Sequence, residues 1–286
     1  MKTILITGIN GYLGSHLAKR YCKRYQIIGL EYDCVDLYRL KDFNFKVYFS
    51  KNGIPEDLFE HNQINIVIHA ATFYGKSDES DSQLLYSNTY ISQSLLEKAV
   101  INKCELFINT DTVLNRFTSA YSLTKKQFTD WLIFYSKIKK IRVVNLELEH
   151  FIGPGTSSSN LITLMVQKML VNEPVIALTK CEQYRDFLYI DDLLRVYDLM
   201  LNMYMSFNMY ESFGVGSGIN TNLKKIFEFI KSQTASLSIL DFGAVDYRND
   251  ELMVSSVDIA PLKSMGWKAE VSVYDAIKLI IKYESN

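Results

Sequence analysis

Tyr121 and Lys125 stand four residues apart in a stretch, Thr118–Lys137, with helical period, so the two side chains share one helix face. An ammonium beside a phenol draws the phenol pKa down from about 10 toward working pH, which equips it to exchange a proton with a substrate oxygen. Spacing by itself singles out nothing. Tyr135/Lys139 and Tyr274/Lys278 repeat it, as chance would supply in a chain with 19 Tyr, and both read as ordinary surface pairs. The setting separates the first pair: its helix follows an apolar run, Leu106–Asn109, whose polar end Asn109-Thr110-Asp111-Thr112-Val113 falls where the carboxyl edge of a sheet would be. Thr110 is placed there to hydrogen-bond the same substrate oxygen.

A second chemical feature opens the chain. Thr7-Gly8-Ile9-Asn10-Gly11-Tyr12-Leu13-Gly14 follows the apolar run Lys2–Thr7 and leads into the helical pattern Leu13–Tyr25. Glycines there allow a tight turn and close backbone approach to a pyrophosphate, whose charge the free N–H groups and the helix dipole favour. The segment reads as a dinucleotide site, with a glycine-rich turn lacking a ligand as the weaker alternative. Glu31 closes the next apolar run, where a carboxylate accepts hydrogen bonds from an adenosine ribose and repels a 2′-phosphate. That favours NAD(H) over NADP(H), against a merely solvated strand end, and Arg39 and Lys41 lie close by in sequence.

The elements that must position these residues alternate. Lys2–Thr7, Gln26–Leu30, Phe45–Phe49, Ile66–His69, Leu106–Asn109 and Ile141–Leu148 read as strands, and Leu13–Tyr25, Pro55–His61, Leu84–Asn102 and Thr118–Lys137 as helices. The pattern predicts an α/β fold, a Rossmann doubly wound parallel sheet. After Gly153-Pro154-Gly155 the regularity changes, with helices near Leu161–Val171, Asp191–Met205, Leu223–Lys231 and Val273–Tyr283. Short strands are expected at Val175–Leu178, Asp186–Ile190, Ser212–Val215 and Ser238–Phe242. Residues 1–150 with about 186–215 therefore read as the dinucleotide domain, and 151–185 with 216–286 as a smaller interleaved α/β substrate lobe.

Of 286 residues 48% are hydrophobic and 22% charged, as in globular chains. Net charge of −1 leaves no basic footprint for nucleic acid. No apolar run reaches the roughly 18 residues of a membrane span, and the N-terminal one falls short of the ~7–15 of a signal-peptide core. Cys22, Cys34, Cys104 and Cys181 share no metal-type spacing, and Asp191-Asp192 reads as a helix N-cap rather than a metal site. Met200, Met203, Met205 and Met209 read as a packed helix. A reduced cytoplasmic protein without a metal is the expectation.

Thr-Gly-x-x-Gly-x-x-Gly, the threonine after strand five and Tyr-x-x-x-Lys together resemble the extended short-chain dehydrogenase/reductases, the NAD-dependent epimerase/dehydratase family, most of which act on nucleotide sugars. Support runs through His69-Ala70-Ala71, Asn88, Gly153-Pro154-Gly155 and Arg185-Asp186-Phe187-Leu188-Tyr189-Ile190-Asp191-Asp192. Leu148-Glu149-His150-Phe151, Phe242-Gly243-Ala244, Asn249-Asp250-Glu251-Leu252-Met253 and Met265-Gly266-Trp267-Lys268 are similar to CDP-abequose and CDP-paratose synthases. Those enzymes reduce the 4-keto group of a CDP-linked 4-keto-3,6-dideoxyhexose, usually with NADPH.

The resemblance implies catalytic Thr110, Tyr121 and Lys125. It places Gly8, Asn10, Gly11, Tyr12, Leu13, Gly14, Glu31, Ala70, Ala71, Thr72, Asn88 and Lys125 around NAD(P)H. Phe73, Tyr74, His150, Arg185 and Arg248 then fall to the nucleotide sugar, the arginines on its pyrophosphate. For each arginine a structural salt bridge is the competing reading, and for His150 a packed structural role. Family dehydratases read Thr-Asp-Glu where this chain has Thr110-Asp111-Thr112, so dehydration is not expected. Relatives carry a basic residue beside the end of strand two, where Glu31-Tyr32 stand here, which leaves NADH against NADPH open. The expected activity is 4-ketoreduction of a nucleotide-linked 4-keto-deoxyhexose in O-antigen sugar synthesis. The alternative is a redox-neutral 4-epimerase with tightly bound NAD, and a non-catalytic dinucleotide sensor would have no use for the Thr/Tyr/Lys set. The resemblance also implies a homodimer through Leu84–Asn102 and Thr118–Lys137, with Phe128, Trp131, Leu132 and Tyr135 as the apolar positions.

Overall fold

Ile4-Leu5-Ile6, Ile66-Val67-Ile68 and Leu106-Phe107-Ile108 are apolar at every position, as suits strands covered on both faces, and all are buried. They lie at the centre of a seven-stranded sheet in the computed structural model, which describes residues 1–33, 36–75, 80–248 and 251–286. Cys34, Asn249 and Asp250, named above, fall outside these residues. In chain order the elements are β1 (Thr3–Thr7), α1 (Tyr12–Tyr21), β2 (Gln26–Glu31), β3 (Lys46–Phe49), α2 (Asp57–Glu60), β4 (Ile66–His69), α3 (Asp81–Leu85), α4 (Ser92–Ile101), β5 (Leu106–Thr112), α5 (Ala120–Lys137) and β6 (Arg142–Leu148). They continue with β7 (His150–Ile152), α6 (Leu161–Leu170), β8 (Val175–Leu178), β9 (Tyr184–Tyr189), α7 (Ile190–Met203), β10 (Tyr210–Val215), β11 (Asn220–Asn222), α8 (Leu223–Gln233), β12 (Ile239–Phe242), α9 (Ala260–Ser264) and α10 (Val273–Glu284).

The large sheet has the order β10-β6-β5-β4-β1-β2-β3. β1 pairs in parallel with both β2 and β4, setting Thr7 opposite Leu30 on one side and His69 on the other. From this pair the chain winds outward in opposite directions, so the carboxyl ends of β1 and β4 mark the switch point at which such sheets open a ligand crevice. The doubly wound Rossmann fold expected from the alternation is the fold observed. α5 starts at a capping box in which Ser119 and Ser122 exchange hydrogen bonds. It buries Phe128 and Leu132 against Phe107, Leu95 and Leu96, each large side chain contributing about 2–3 kcal/mol. Trp131 and Phe134 stay 42% and 51% exposed, so the apolar positions of this helix divide between the core and an outer face.

Two differences from the expected elements have polar causes. The helix expected over 84–102 begins earlier, at a Ser80/Gln83 capping box, and is interrupted by a π-helical segment, Tyr86–Ile91. Extra residues at such a segment turn a side chain inward, and here Asn88 is buried. β5, expected over Leu106–Asn109, runs on through Thr112 because Asn109 and Asp111 find buried partners in Asn145.

The chain divides into two units, Met1–Glu147 with Asp198–Phe213 and Leu148–Tyr197 with Gly214–Asn286. β9 pairs with β7 and β11 rather than with the large sheet, so residues 186–197, read with the dinucleotide domain, fall in the second unit. In that unit α6, α8 and α10 bury Met165, Met169, Ile226, Phe227, Ile277 and Ile280 together, and β8 pairs with β12. The three-residue strands β7 and β11 and the single-turn α9 escaped the sequence because so few residues carry no period. Asp192 lies within the first turn of α7 instead of capping it, and accepts the N–H groups of Glu270 and Val271. Met200 is buried, whereas Met205 is exposed beyond the helix end. No helix among the described residues is long and apolar enough to cross a membrane.

Candidate active site

Gly8 leaves β1 with φ +63°, and a Cβ there would lie 2.9 Å from Ala71 Cα, so only glycine lets the turn after β1 pass against the turn after β4. Its N–H donates to Leu30 O at 2.7 Å and its carbonyl accepts the Gly11 N–H at 2.9 Å. A Cβ on Gly14 would sit 2.0 Å from that same carbonyl. α1 therefore starts directly on the loop, and Gly11 at its N-cap offers no side chain to the helix N–H groups, which leaves them for an anion at the positive end of the dipole. A dinucleotide pyrophosphate fits this cradle. Leu13 is buried behind it, and Tyr12 packs on His16 with the Arg39 guanidinium 5.5 Å from its ring.

Glu31 is more than a ribose acceptor in waiting. One carboxylate oxygen accepts the Asn10 N–H at 2.5 Å, so the end of β2 holds the glycine loop. Burial raises its pKa, opposed by the N–H groups of Asn10 and Tyr32. The Asn10 side chain is spent on the chain beyond β2, donating to Asp36 O and accepting the Arg39 N–H.

Tyr121 lies at the start of α5 beside the end of β5, and its hydroxyl shares a hydrogen bond with the Thr112 side chain, a partner the sequence reading had not singled out. Thr110, expected to hydrogen-bond the substrate oxygen, is buried two residues earlier on the strand. Burial, and after it the Tyr74 and Asp111 charges, holds the phenol above its ordinary pKa, whereas the expected effect of Lys125 was a depression. Lys125 is 1% exposed, and desolvation pushes its ammonium down to about 8, against the pull of Asp111. Asp111 is itself buried, accepting from Thr112 N–H (2.7 Å), Lys126 Nζ (2.9 Å), Thr129 Oγ1 (3.0 Å) and Asn145 Nδ2 (3.2 Å). Desolvation works to raise this carboxyl, but Lys125, Lys126 and the Thr112 N–H outweigh it and hold it below its ordinary value. A buried carboxylate at a strand end beside two lysines was the available signal for this cluster.

The turn after β4 is fastened to α5. Asn88 accepts the Phe73 N–H at 2.9 Å, donates to Phe73 O at 2.8 Å and reaches Thr124 Oγ1 at 3.2 Å, while Thr124 Oγ1 donates to Tyr121 O. Asn88, expected around the cofactor, thus clamps the loop that carries Ala70, Ala71, Thr72, Phe73 and Tyr74. Tyr74 is exposed, its ring 5.1 Å from that of Tyr121.

Beneath the loop, the Ala71 N–H donates to Thr7 Oγ1, which leaves the Thr7 hydroxyl hydrogen for His69 Nδ1 at 2.9 Å. His69 Nε2 then carries the ring proton and donates to Ser92 Oγ at 2.9 Å, a neutral imidazole joining β1, β4 and α4. Burial, then the Lys125 charge, pushes its pKa down to about 3. An unfolded histidine titrates near 6.5, so the unfolded chain takes up this proton first, and stability intact above about pH 6.5 is lost as pH falls toward 3. The full loss is on the order of 5 kcal/mol. Urea midpoints near pH 7 and about pH 4.5 test this: His69→Gln is expected to narrow the gap between them, and an unchanged gap refutes the assignment.

In the second unit Arg185 is half of an ion pair, donating to Glu251 Oε1 at 2.7 Å, and Arg248 is exposed. His150 is exposed, with Nδ1 3.6 Å from the buried Glu149 carboxylate, which both Ser255 contacts hold at 2.7 Å.

Comparison with known proteins agrees with this geometry. Residues 4–216 match the model of the NAD dependent epimerase/dehydratase family. A CDP-abequose synthase of Salmonella muenchen is 30% identical over 98% of this chain and 97% of its own. The dTDP-4-dehydro-6-deoxyglucose reductase of Escherichia coli is 24% identical over 98% and 96%. Among solved structures, the UDP-glucuronic acid 4-epimerase of Bacillus cereus in complex with UDP-glucuronic acid and NAD superposes with a TM-score of 0.87, at 22% identity over 99% of both chains. With the glycine cradle at the switch point and Tyr121 and Lys125 at the end of β5, the chain belongs to the NAD dependent epimerase/dehydratase family, as an oxidoreductase of the extended short-chain dehydrogenase/reductase type.

Proposed function

We propose that the protein reduces the C4 carbonyl of a nucleotide-linked 4-keto-deoxyhexose, with a CDP-linked 4-keto-3,6-dideoxyhexose as the leading substrate. One observation carries the reading: Tyr121 is a half-buried phenol whose pKa is held above its ordinary value, while the adjacent carboxylate Asp111 is consumed by Lys126, Thr129 and Asn145. Such a site delivers a proton, and among the described residues no free base stands beside the phenol to remove one from carbon. The full-length similarity to a CDP-abequose synthase supports the substrate class.

The glycine loop and the first turn of α1 would hold the pyrophosphate of the dinucleotide, and Glu31 would stand by its ribose. When bound, the reduced nicotinamide supplies hydride to the carbonyl carbon. Tyr121 passes its proton to the carbonyl oxygen, Thr110 and Thr112 offer hydroxyl donors at the developing alkoxide, and solvent returns a proton to Tyr121. Lys125 would supply a positive charge near the phenol and hold the cofactor ribose. Arg185 and Arg248 are assigned to the sugar-nucleotide pyrophosphate and His150 to the sugar, with 1–147 plus 198–213 as cofactor domain and the remainder as substrate lobe. The exposed Trp131 and Phe134 support a homodimer through α5, working in the cytoplasm.

A redox-neutral 4-epimerase is the second reading, favoured by Glu31, whose carboxylate disfavours a 2′-phosphate. Loss of reduced-nicotinamide absorbance on mixing purified protein with NADH or NADPH and a panel of nucleotide-linked 4-keto-deoxy sugars decides between them. Stoichiometric loss with one substrate is expected. No net loss with any of them, in protein that carries bound NAD, moves the assignment to the epimerase.

A further inference from the structure

Glu149 lies between β6 and β7 with no exposed side-chain surface, and its N–H is given to Val215 O at 2.9 Å. A buried carboxylate costs free energy unless donors meet its oxygens. The Ser255 hydroxyl lies 2.7 Å from both of them, but a serine has one proton to give. A second carboxylate is close by, since a Cβ on Gly216 would lie 2.6 Å from Asp186 Oδ2 and 3.2 Å from Glu149 Cγ. Asp186 has its own donors, the N–H groups of Ser217 and Gly218 at 2.8 and 2.7 Å and the Ser217 hydroxyl at 2.5 Å. The remaining group at Glu149 is the His150 ring, whose Nδ1 is 3.6 Å from Oε2. That ring rests 5.7 Å from the ring of Phe187, its neighbour on β9, and 49% of the side chain stays exposed.

A carboxylate only accepts, so it attracts a proton on the nitrogen that faces it and repels a lone pair there. An unconstrained neutral imidazole carries its proton mainly on Nε2, and a carboxylate at Nδ1 reverses that preference. We propose that Glu149 is a positioning residue that fixes the neutral tautomer of His150 with its proton on Nδ1, so that Nε2 meets the substrate as a hydrogen-bond acceptor. A lone pair complements a hydroxyl and opposes a phosphate, so its ligand is a sugar hydroxyl and not the pyrophosphate. The inference rests on the assignment of His150 to the sugar. The competing role is structural, a buried carboxylate that fastens Ser255 to the start of β7 with no bearing on His150.

Nitrogen-15 spectra of full-length protein labelled at histidine separate the two neutral tautomers from the imidazolium, and His150→Asn identifies the His150 signals by their loss. At about pH 8 the parent is expected to carry the proton on Nδ1 with Nε2 bare. Glu149→Leu, which fills the space without an acceptor, is expected to move the proton to Nε2. A parent with its proton on Nε2, or a tautomer that Glu149→Leu leaves in place, overturns the proposal. An imidazolium in the parent overturns it in favour of a phosphate ligand. The parent spectrum decides even where Glu149→Leu fails to fold. In the reduced-nicotinamide assay, Glu149→Leu is expected to raise KM for the nucleotide sugar about three- to tenfold, the worth of one hydrogen bond, with kcat within about twofold. A fall in kcat at unchanged KM, or no change in either, overturns the acceptor role. A parent that reduces none of the sugars counts against the ketoreductase reading, while the tautomer, measured without substrate, still decides the role of Glu149.

Discussion

Tyr121→Phe is expected to lower kcat by about 10²- to 10⁴-fold, the usual worth of a positioned proton donor, while leaving dinucleotide affinity within a few-fold of the parent. The substitution removes one oxygen and nothing else: the ring keeps its contact with Tyr74 at 5.1 Å, and Thr112 Oγ1 keeps the Leu114 N–H at 3.2 Å. The stability cost is then that of one hydrogen bond, about 1 kcal/mol. A single-turnover reduction at saturating cofactor, beside a fluorescence titration of the reduced dinucleotide, separates proton delivery from binding. Full activity in this variant would remove the phenol from the mechanism. Lys125→Met is expected to differ in kind, weakening dinucleotide binding as well, because that side chain is assigned to the ribose.

Gly14→Ala is expected to weaken dinucleotide binding at least about tenfold and to destabilise the fold by about 1–3 kcal/mol, the range for overpacking. In an ordinary helix the same change would stabilise by up to about 1 kcal/mol, so the sign of the effect is diagnostic. The added Cβ would meet Gly8 O at 2.0 Å and Ile9 Cα at 3.0 Å. Gly8 cannot retreat, since its N–H is bonded to Leu30 O and its carbonyl to Gly11 N–H. α1 must instead lift from β1, and its N–H groups leave the pyrophosphate site. Thermal unfolding with and without NADH measures both effects, and an Ala variant as stable as the parent would show that the helix does not rest on this contact.

Much of the fold was legible because the central strands are apolar without interruption and the covering helices keep a 3.6-residue period. The glycine loop was legible for a local reason, since three glycines at that spacing between a strand and a helix serve few purposes besides close packing and an anion. Tyr121/Lys125 became legible through position, as the spacing recurs elsewhere in the chain. What surrounds the pair was not legible. Asp111 read only as part of the polar strand end because a carboxylate ending an apolar strand has no visible partner in one dimension, and its partners Thr129 and Asn145 come from a helix and a strand further along the chain. Asn88 was read as a residue around the cofactor, whereas its hold on Phe73 depends on a π-helical turn that no local pattern announces.

The sequence by itself determined the doubly wound sheet, the glycine turn from β1 into α1 and the placing of one phenol and one amine on the helix after β5, because these depend on periodicity and on residue types within one short segment. Only the tertiary structure decided which hydroxyl meets Tyr121, that Asp111 is paired with Lys126 and that Arg185 is paired with Glu251. Those outcomes depend on burial and on charges brought together from separate elements, and the free energy of a buried charge is set by what lies within a few ångströms of it.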